Sequence, residues 1–189
     1  MALENFRGAA RLFAVLTALF ISAAAVGQQK GAEKLNSFIG SHSVPAADFL
    51  SGSWRYRDNM YVFFKGTGDT PSKDVTDNNL TMMTVTSDNC ELAFLEGNRC
   101  SFRVGNKKFT LTWQLDPQTR EFKTSLPFFT IKGYLVRYGK DIALVYTRSD
   151  LELMMRFLCP ASTHGYINDF SRSMKVTDGL SLCFIFSRN

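Results

Sequence analysis

The sequence predicts an all-β protein: an eight-stranded antiparallel up-and-down barrel with one C-terminal α-helix and a short final strand. Three observations support this fold class. From Trp54 onward the apolar residues recur with a period of two, as in half-buried strands. Short strand-like segments alternate with turn-forming residues, which favours an antiparallel meander. Closing a meander removes its exposed edges, and eight strands leave room inside for one small ligand.

The first 27 residues have the pattern of a secretory signal peptide. Arg7 and Arg11 give a positive start, an apolar run of about fifteen residues follows, and Ala25-Val26-Gly27 favours cleavage after Gly27. A membrane anchor is the alternative, but a spanning helix needs about 20 apolar residues. We therefore expect a secreted, extracellular protein with no membrane span after signal cleavage.

The remaining chain is predicted to be a flexible lead-in, residues 28–44, followed by one domain, residues 45–189. The lead-in is polar and shows no periodicity. Removing the signal peptide, whose two arginines and one glutamate carry +1, lowers the net charge from +5 to +4. The basic residues are scattered and form no patch or stripe, so we expect no nucleic-acid partner.

The strands of the first half are separated by turns rich in Gly, Asn and Asp. A long first strand is expected to bend at Asp58-Asn59, and Gly105-Asn106 is a tight hairpin signal. The dense turn formers of 66–72 close the first strand. The predicted strands are residues 53–64, 80–86, 91–95, 101–104 and 109–113.

The second half continues the meander and then changes character. Its predicted strands are residues 121–125, 129–138, 142–147 and 151–158, the last one following a two-residue turn at Ser149-Asp150. Ser162 or Thr163 then caps a helix with an amphipathic stripe. The stripe comprises Tyr166, Ile167, Phe170 and Met174, and residues 182–186 form the final strand.

Four cysteines follow the signal peptide, namely Cys90, Cys100, Cys159 and Cys183. An even number in this context predicts two disulfide bonds in an oxidising compartment. Their spacings fit no zinc finger or knuckle, so we expect no metal site. Asn79-Leu80-Thr81 is a glycosylation sequon, which predicts a glycan on Asn79 in a eukaryotic host.

The layout resembles the lipocalin family of secreted barrels over residues 45–187. The family's Gly-x-Trp signature is present as Gly52-Ser53-Trp54, with Phe49 upstream. A second signature, in a late hairpin at residues 136–146, is only half met because the usual Thr-Asp-Tyr order is missing. Avidin-like barrels also begin with Gly-x-Trp, but they are shorter and lack the C-terminal helix.

The resemblance assigns structural roles at the closed base of the barrel. It implies that an arginine near the end of the last barrel strand packs across Trp54, and Arg156 occupies the matching place, with Arg148 as a weaker candidate. An apolar indole plugs such a base, and a stacked guanidinium adds roughly 0.5–2 kcal/mol. Gly52, Trp54 and Arg156 are therefore expected to be structural and not ligand contacts.

The resemblance also implies a disulfide from a mid-barrel strand to the C-terminal segment. Cys183 should then pair with Cys90 or Cys100, leaving Cys159 for the other. The local alternative pairs Cys90 with Cys100 and Cys159 with Cys183.

The sequence contains no recognisable catalytic set. The mature chain has two histidines, His42 in the lead-in and His164 at the helix start, where a solvated surface role is expected. No nucleophile–base arrangement or phosphate-binding loop can be assembled. We therefore expect neither an enzyme nor a cofactor.

Two functions fit a secreted barrel. The first is the carriage of a small hydrophobic ligand, such as a fatty acid, retinoid or sterol, in an apolar interior. The second is a protein-binding module, an inhibitor or immune modulator acting on a protein receptor, with the barrel as a filled scaffold; the long segment 66–79 would serve as binding loop or lid. The candidate interior residues are Tyr56, Met60, Met82, Phe94, Phe102, Trp113, Phe129, Tyr134 and Met154.

Overall fold

The computed structural model describes residues 29–66, 70–173 and 176–188. Within these ranges, eight strands form one closed antiparallel barrel in the order of the chain, with the last strand returning to the first. The predicted fold class is therefore confirmed. The strands are β1 (Gly52–Gly66), β2 (Cys90–Leu95), β3 (Arg99–Val104), β4 (Lys107–Leu115), β5 (Glu121–Leu126), β6 (Phe129–Tyr138), β7 (Asp141–Thr147) and β8 (Val176–Arg188).

Helices lie before the first strand and between the strands. They are α1 (residues 29–40), α2 (Ala47–Leu50), α3 (Lys73–Met82), α4 (Arg148–Leu158) and α5 (His164–Ser173), with a 3₁₀ turn at Ala161–Thr163 before α5. None of the helices in the described ranges is long and apolar enough to cross a membrane. The predicted signal peptide lies outside the described residues.

The first strand is long and bent, as predicted. β1 pairs with β2 over residues 52–55 and with β8 over most of its length, and its register with β8 shifts between Tyr56 and Asp58. A bulge of this kind inserts one residue and bends the strand. As a result Tyr56 and Asn59, three residues apart, both lie opposite inward-facing phenylalanines of β8 and are buried.

The predicted strand at 80–86 is wrong, because α3 ends there. The Ser72 hydroxyl accepts a hydrogen bond from the Val75 N–H and so caps the helix. Leu80 is buried on the helix face, and Thr84 then adopts a φ of 65°, which lies outside the β region. The β-branched and apolar composition of residues 80–86 favoured a strand in the sequence interpretation.

The predicted strand at 151–158 is also wrong, because these residues belong to α4. Leu151, Met154, Met155 and Leu158 are buried, at positions 0, +3, +4 and +7 of a helical stripe. The pair Ser149-Asp150 is not a hairpin turn but lies in the first helical turn, where Thr147 donates to the Asp150 carboxylate at 3.1 Å.

The closing strand of the barrel is therefore β8, which is longer than the predicted segment 182–186 and pairs with both β7 and β1. The preceding helix is present as α5, and Ile167 and Phe170 of its predicted stripe are buried. Tyr166 is 40% exposed. Met174 lies outside the described residues.

A flexible lead-in was predicted for residues 28–44, but residues 29–40 form the helix α1, so that prediction is wrong there. Leu35 and Ile39 of α1 are buried against an apolar patch on the outside of the barrel wall. This outer cluster comprises Leu35, Ile39, Val136, Ala143, Val145, Cys183 and Ile185. The segment that forms α1 is mostly polar, and its apolar face consists of two residues four positions apart, Leu35 and Ile39. So short a face gives little periodicity in the sequence.

Candidate functional site

The base of the barrel is closed by Trp54, whose side chain is completely buried. Its indole Nε1 donates to the Leu50 carbonyl at 3.3 Å, and its ring lies 5.3 Å from that of Phe49. Gly52 precedes it with a φ of 88°, a conformation that favours glycine. The structural role of Gly52 and Trp54 stays a prediction.

The arginine at the base is Arg188 and not Arg156. The Arg188 guanidinium lies 5.2 Å from the Trp54 ring and donates to the carbonyls of Phe49 and Ser51, each at 3.0 Å. Arg156 instead lies on α4, where it binds Glu152 at 2.8 Å and the Asn168 side chain of α5 at 2.7 Å. Because the segment carrying Arg156 is a helix and β8 is the last barrel strand, the arginine from the chain end takes the predicted position.

The mouth of the barrel is closed by helices. The buried residues of α4 pack onto the interior cluster, and the Phe157 ring lies 4.3 Å from that of Phe109 and 4.7 Å from that of Phe129. Lys107, at the start of β4, donates to the Cys159 carbonyl at the end of α4 at 2.9 Å. These contacts hold α4 across the opening.

A small cavity of about 20 Å³ remains inside the barrel. Its wall includes Phe102, Tyr146 and Phe184, and its roof includes Met154 and Leu158. A volume of roughly 10–15 Å³ holds one water molecule, whereas a drug-sized ligand needs a site of about 300–1,000 Å³. In this conformation the interior is therefore filled by the protein's own side chains.

The predicted interior residues divide into three groups. Tyr56, Phe94, Phe102, Trp113, Phe129 and Met154 lie in or pack against the interior cluster. Met60 and Tyr134 pack on the outer cluster beneath α1. Met82 is 53% exposed on α3, whereas the neighbouring Met83 is completely buried inside. The misplacement of Met82 follows from reading a helix as a strand.

A polar network under α3 was missed by the sequence interpretation. The amide of Asn59, a residue 3% exposed, donates to the Tyr56 hydroxyl at 2.6 Å and to the Asp77 carboxylate of α3 at 2.7 Å. Lys73 of α3 bridges Asp77 at 2.7 Å and Asp58 of β1 at 2.8 Å. Burial raises the pKa of Tyr56 to about 12, so its hydroxyl stays neutral. This network fastens α3 to β1.

The expected disulfides are absent, because all four cysteines are free and buried. Cys183 lies in the outer cluster and the other three in the interior cluster, so the barrel wall separates them. In the β2–β3 ladder Cys90 lies opposite Val104, and Cys100 lies opposite Phe94. The two cysteines are thus four ladder positions apart, which places their Cα atoms about 14 Å from each other. A disulfide spans at most roughly 7 Å between Cα atoms.

The four thiols are poor nucleophiles in this setting. Burial raises the pKa of each of the four to about 12, so the nucleophilic thiolate is scarce at neutral pH. Within the described ranges, no group of three or more His, Cys, Asp or Glu side chains could hold a metal ion.

The two histidines and the sequon take defined positions. His42 follows α1, with its Nδ1 at 2.7 Å from the Phe38 carbonyl and its ring stacked 5.3 Å from Tyr138. His164 begins α5 half-buried, and its Nε2 has no hydrogen-bond partner in the described part of the chain. Asn79 lies in α3, and its amide donates to the Val75 carbonyl at 2.8 Å.

Comparison with known proteins adds little to this picture. No protein-family model and no curated protein matches the sequence. One solved structure, a DUF4847 family protein from Bacteroides vulgatus, is similar at 12% identity over 75% of this chain and 94% of its own, with a TM-score of 0.36. A score this low supports no inference about this chain.

Proposed function

We propose that the protein binds one small hydrophobic ligand inside its barrel, beneath α4, as a non-enzymatic secreted carrier of the lipocalin type. The supporting observation is the construction of the mouth. The roof of the interior cavity comes from an amphipathic helix that can move as a unit, and not from the barrel wall. Methionine side chains in that roof adapt readily to different apolar shapes.

The small cavity is then the closed, ligand-free state. Opening requires α4 to leave the mouth, which breaks the contact of Arg156 with Asn168 of α5 and that of Lys107 with the Cys159 carbonyl, whereas the Arg156–Glu152 pair moves with the helix. Exposed contacts of this kind contribute about 0.2–1 kcal/mol each. The polar network under α3 would stay in place while α4 moves.

A second candidate rests on the same cavity. A barrel whose interior cavity measures about 20 Å³ is also compatible with a protein-binding module in which the interior is a rigid core. Its partner would be a protein receptor contacted through the helices and loops at the mouth. The two candidates differ in whether α4 ever opens.

The test combines native mass spectrometry with an uptake assay for an apolar fluorescent probe such as a retinoid. We expect a stoichiometric apolar mass that solvent extraction removes. Because the ligand binds only the open state, Arg156→Met should tighten probe binding by about twofold. Lys140→Gln, an exposed charge change in the β6–β7 turn, is the matched control and should leave probe binding unchanged.

A clean ligand-free mass, with no probe uptake by the native protein or by Arg156→Met, would contradict the carrier proposal. That result would favour the filled scaffold.

A further inference from the structure

A groove crosses the outer wall where β4 and β5 separate. Pairing between these strands runs from Thr112↔Ser125 to Leu115↔Phe122 and stops there. β4 extends on to Lys107, whereas β5 ends at Leu126. In the described part of the sheet, the upper half of β4 therefore lacks a β5 neighbour, and the wall is interrupted beside the β5–β6 turn.

The groove at this interruption has a volume of about 370 Å³. This is within the range of roughly 300–1,000 Å³ found for small-molecule sites. The interior cavity, at about 20 Å³, is far smaller. The groove is therefore a ligand-sized space in the closed conformation.

The floor of the groove is apolar and continues toward the mouth. Leu111, 3% exposed, and the half-buried Leu126 line it and also pack in the interior cluster. Phe129 pairs directly with Leu126, and its ring touches that of Phe157 on α4. On the β5–β6 turn, Phe128 is 96% exposed.

One rim of the groove is polar and positively charged. Arg99, Thr112 and Ser125 are direct neighbours across three strands, and all three line the groove. The Arg99 Nε donates to the Glu96 carbonyl at 3.2 Å. Over residues 29–66, 70–173 and 176–188, no carboxylate forms a salt bridge with Arg99. Its charge therefore remains uncompensated beside an apolar floor.

We propose that this groove binds a single-chain carboxylate amphiphile of the fatty-acid class. Arg99 donates charge-assisted hydrogen bonds to the carboxylate, supported by the hydroxyls of Thr112 and Ser125. The chain lies over Leu111 and Leu126 and points toward the phenylalanine rings under α4. This inference rests on the proposed function and deepens it, since it names the ligand class and the place where the ligand is first held.

Isothermal titration calorimetry of the delipidated full chain with decanoate and with decanol tests the proposal. Decanoate should bind with 1:1 stoichiometry. Arg99→Gln should weaken decanoate by about tenfold or more and leave decanol almost unchanged, because decanol has no charge to pair. Lys140→Gln removes one exposed positive charge from the β6–β7 turn and should change neither affinity.

A second variant tests the location. Thr110 is exposed on the groove rim, and Thr110→Trp should fill the groove and weaken both ligands. Equal decanoate binding by native protein and Arg99→Gln would overturn the proposal, as would a native protein that binds no decanoate.

The interior site is separable from the groove. Val85 lines the interior cavity, and Val85→Phe should block a ligand beneath α4 while leaving the groove open. Loss of decanoate binding in Val85→Phe, with normal binding in Thr110→Trp, would refute the groove and support the interior site. The reverse pattern would support the groove and refute the interior site.

Discussion

The two ends of the barrel are closed in different ways. At the base, Trp54 fills the opening from within β1, and Arg188 of the adjoining β8 ties its ring to backbone carbonyls. At the mouth, α3 and α4 lie across the opening and are fastened by side-chain contacts such as Lys73 with Asp58. The base is thus part of the barrel wall, whereas the mouth is closed by elements that can detach without breaking a strand pair.

This difference predicts where a mutation unfolds the protein and where it only loosens a lid. Removal of a completely buried indole from the base leaves a cavity that the surrounding residues fill only partly. A helix at the mouth can move and leave the sheet hydrogen bonds intact, so local opening there should cost less than global unfolding. The predictions below test this contrast.

The largest effect is expected for Trp54→Ala, which should lower the free energy of unfolding by about 3–5 kcal/mol. The loss combines apolar transfer with the cavity left behind. Trp113→Ala is the matched control, and its smaller loss follows from the partial exposure of that ring. Urea denaturation followed by circular dichroism measures both, and equal losses would contradict the assignment of Trp54 as the base plug.

An intermediate effect separates the two arginines. Arg188→Met should lower the free energy of unfolding by about 1 kcal/mol, because an exposed cation–π contact and two carbonyl hydrogen bonds are lost. Arg156→Met removes only exposed contacts on the helices and should cost less than about 0.5 kcal/mol. The opposite order in thermal or urea unfolding would contradict the role of Arg188 in stabilising the base.

Local patterns in the sequence predicted the barrel well. Of the eight strands predicted from 53–64 to 142–147, seven are present and the one at 80–86 is not. The predicted bend at Asp58 coincides with a register shift. Gly105, with a φ of 58°, lies in the predicted hairpin. These features depend on residues close in sequence, so alternation and turn chemistry are sufficient to find them.

The wrong predictions concern features that depend on contacts between residues far apart in the sequence. The stripe of α4 was visible at helical spacing, but a turn signal at Ser149-Asp150 favoured a strand. Arg188 lies next to the chain end and reaches Trp54 only because β8 pairs with β1. The free cysteines depend on which side of the wall each thiol faces, and a one-residue shift in register reverses that side. Ligand binding and lipocalin membership remain predictions.

The smallest effect concerns pH and the fastening of α3. Burial raises the pKa of Asp58, but hydrogen bonds from Lys73 and from the backbone N–H of Asn59 outweigh this effect, so the pKa is lowered overall. A carboxyl whose folded pKa is below its unfolded value stabilises the protein above the unfolded pKa, near 3.9, and this stabilisation is lost as pH falls through the folded pKa. Asp58→Asn should therefore lower the melting temperature slightly at pH 6–7, and the difference should shrink as the pH falls below about 3.9.

The control for this last comparison is Asp88→Asn, which removes an exposed carboxylate from the turn before β2, outside the ion pairs found in the described part of the chain. Its melting temperature should follow that of the native protein across the same pH range. Because Asp58 is partly exposed, salt should also reduce the difference. A difference between Asp58→Asn and native protein that persists unchanged at pH 3 would show that the ion pair of Asp58 with Lys73 does not fasten α3.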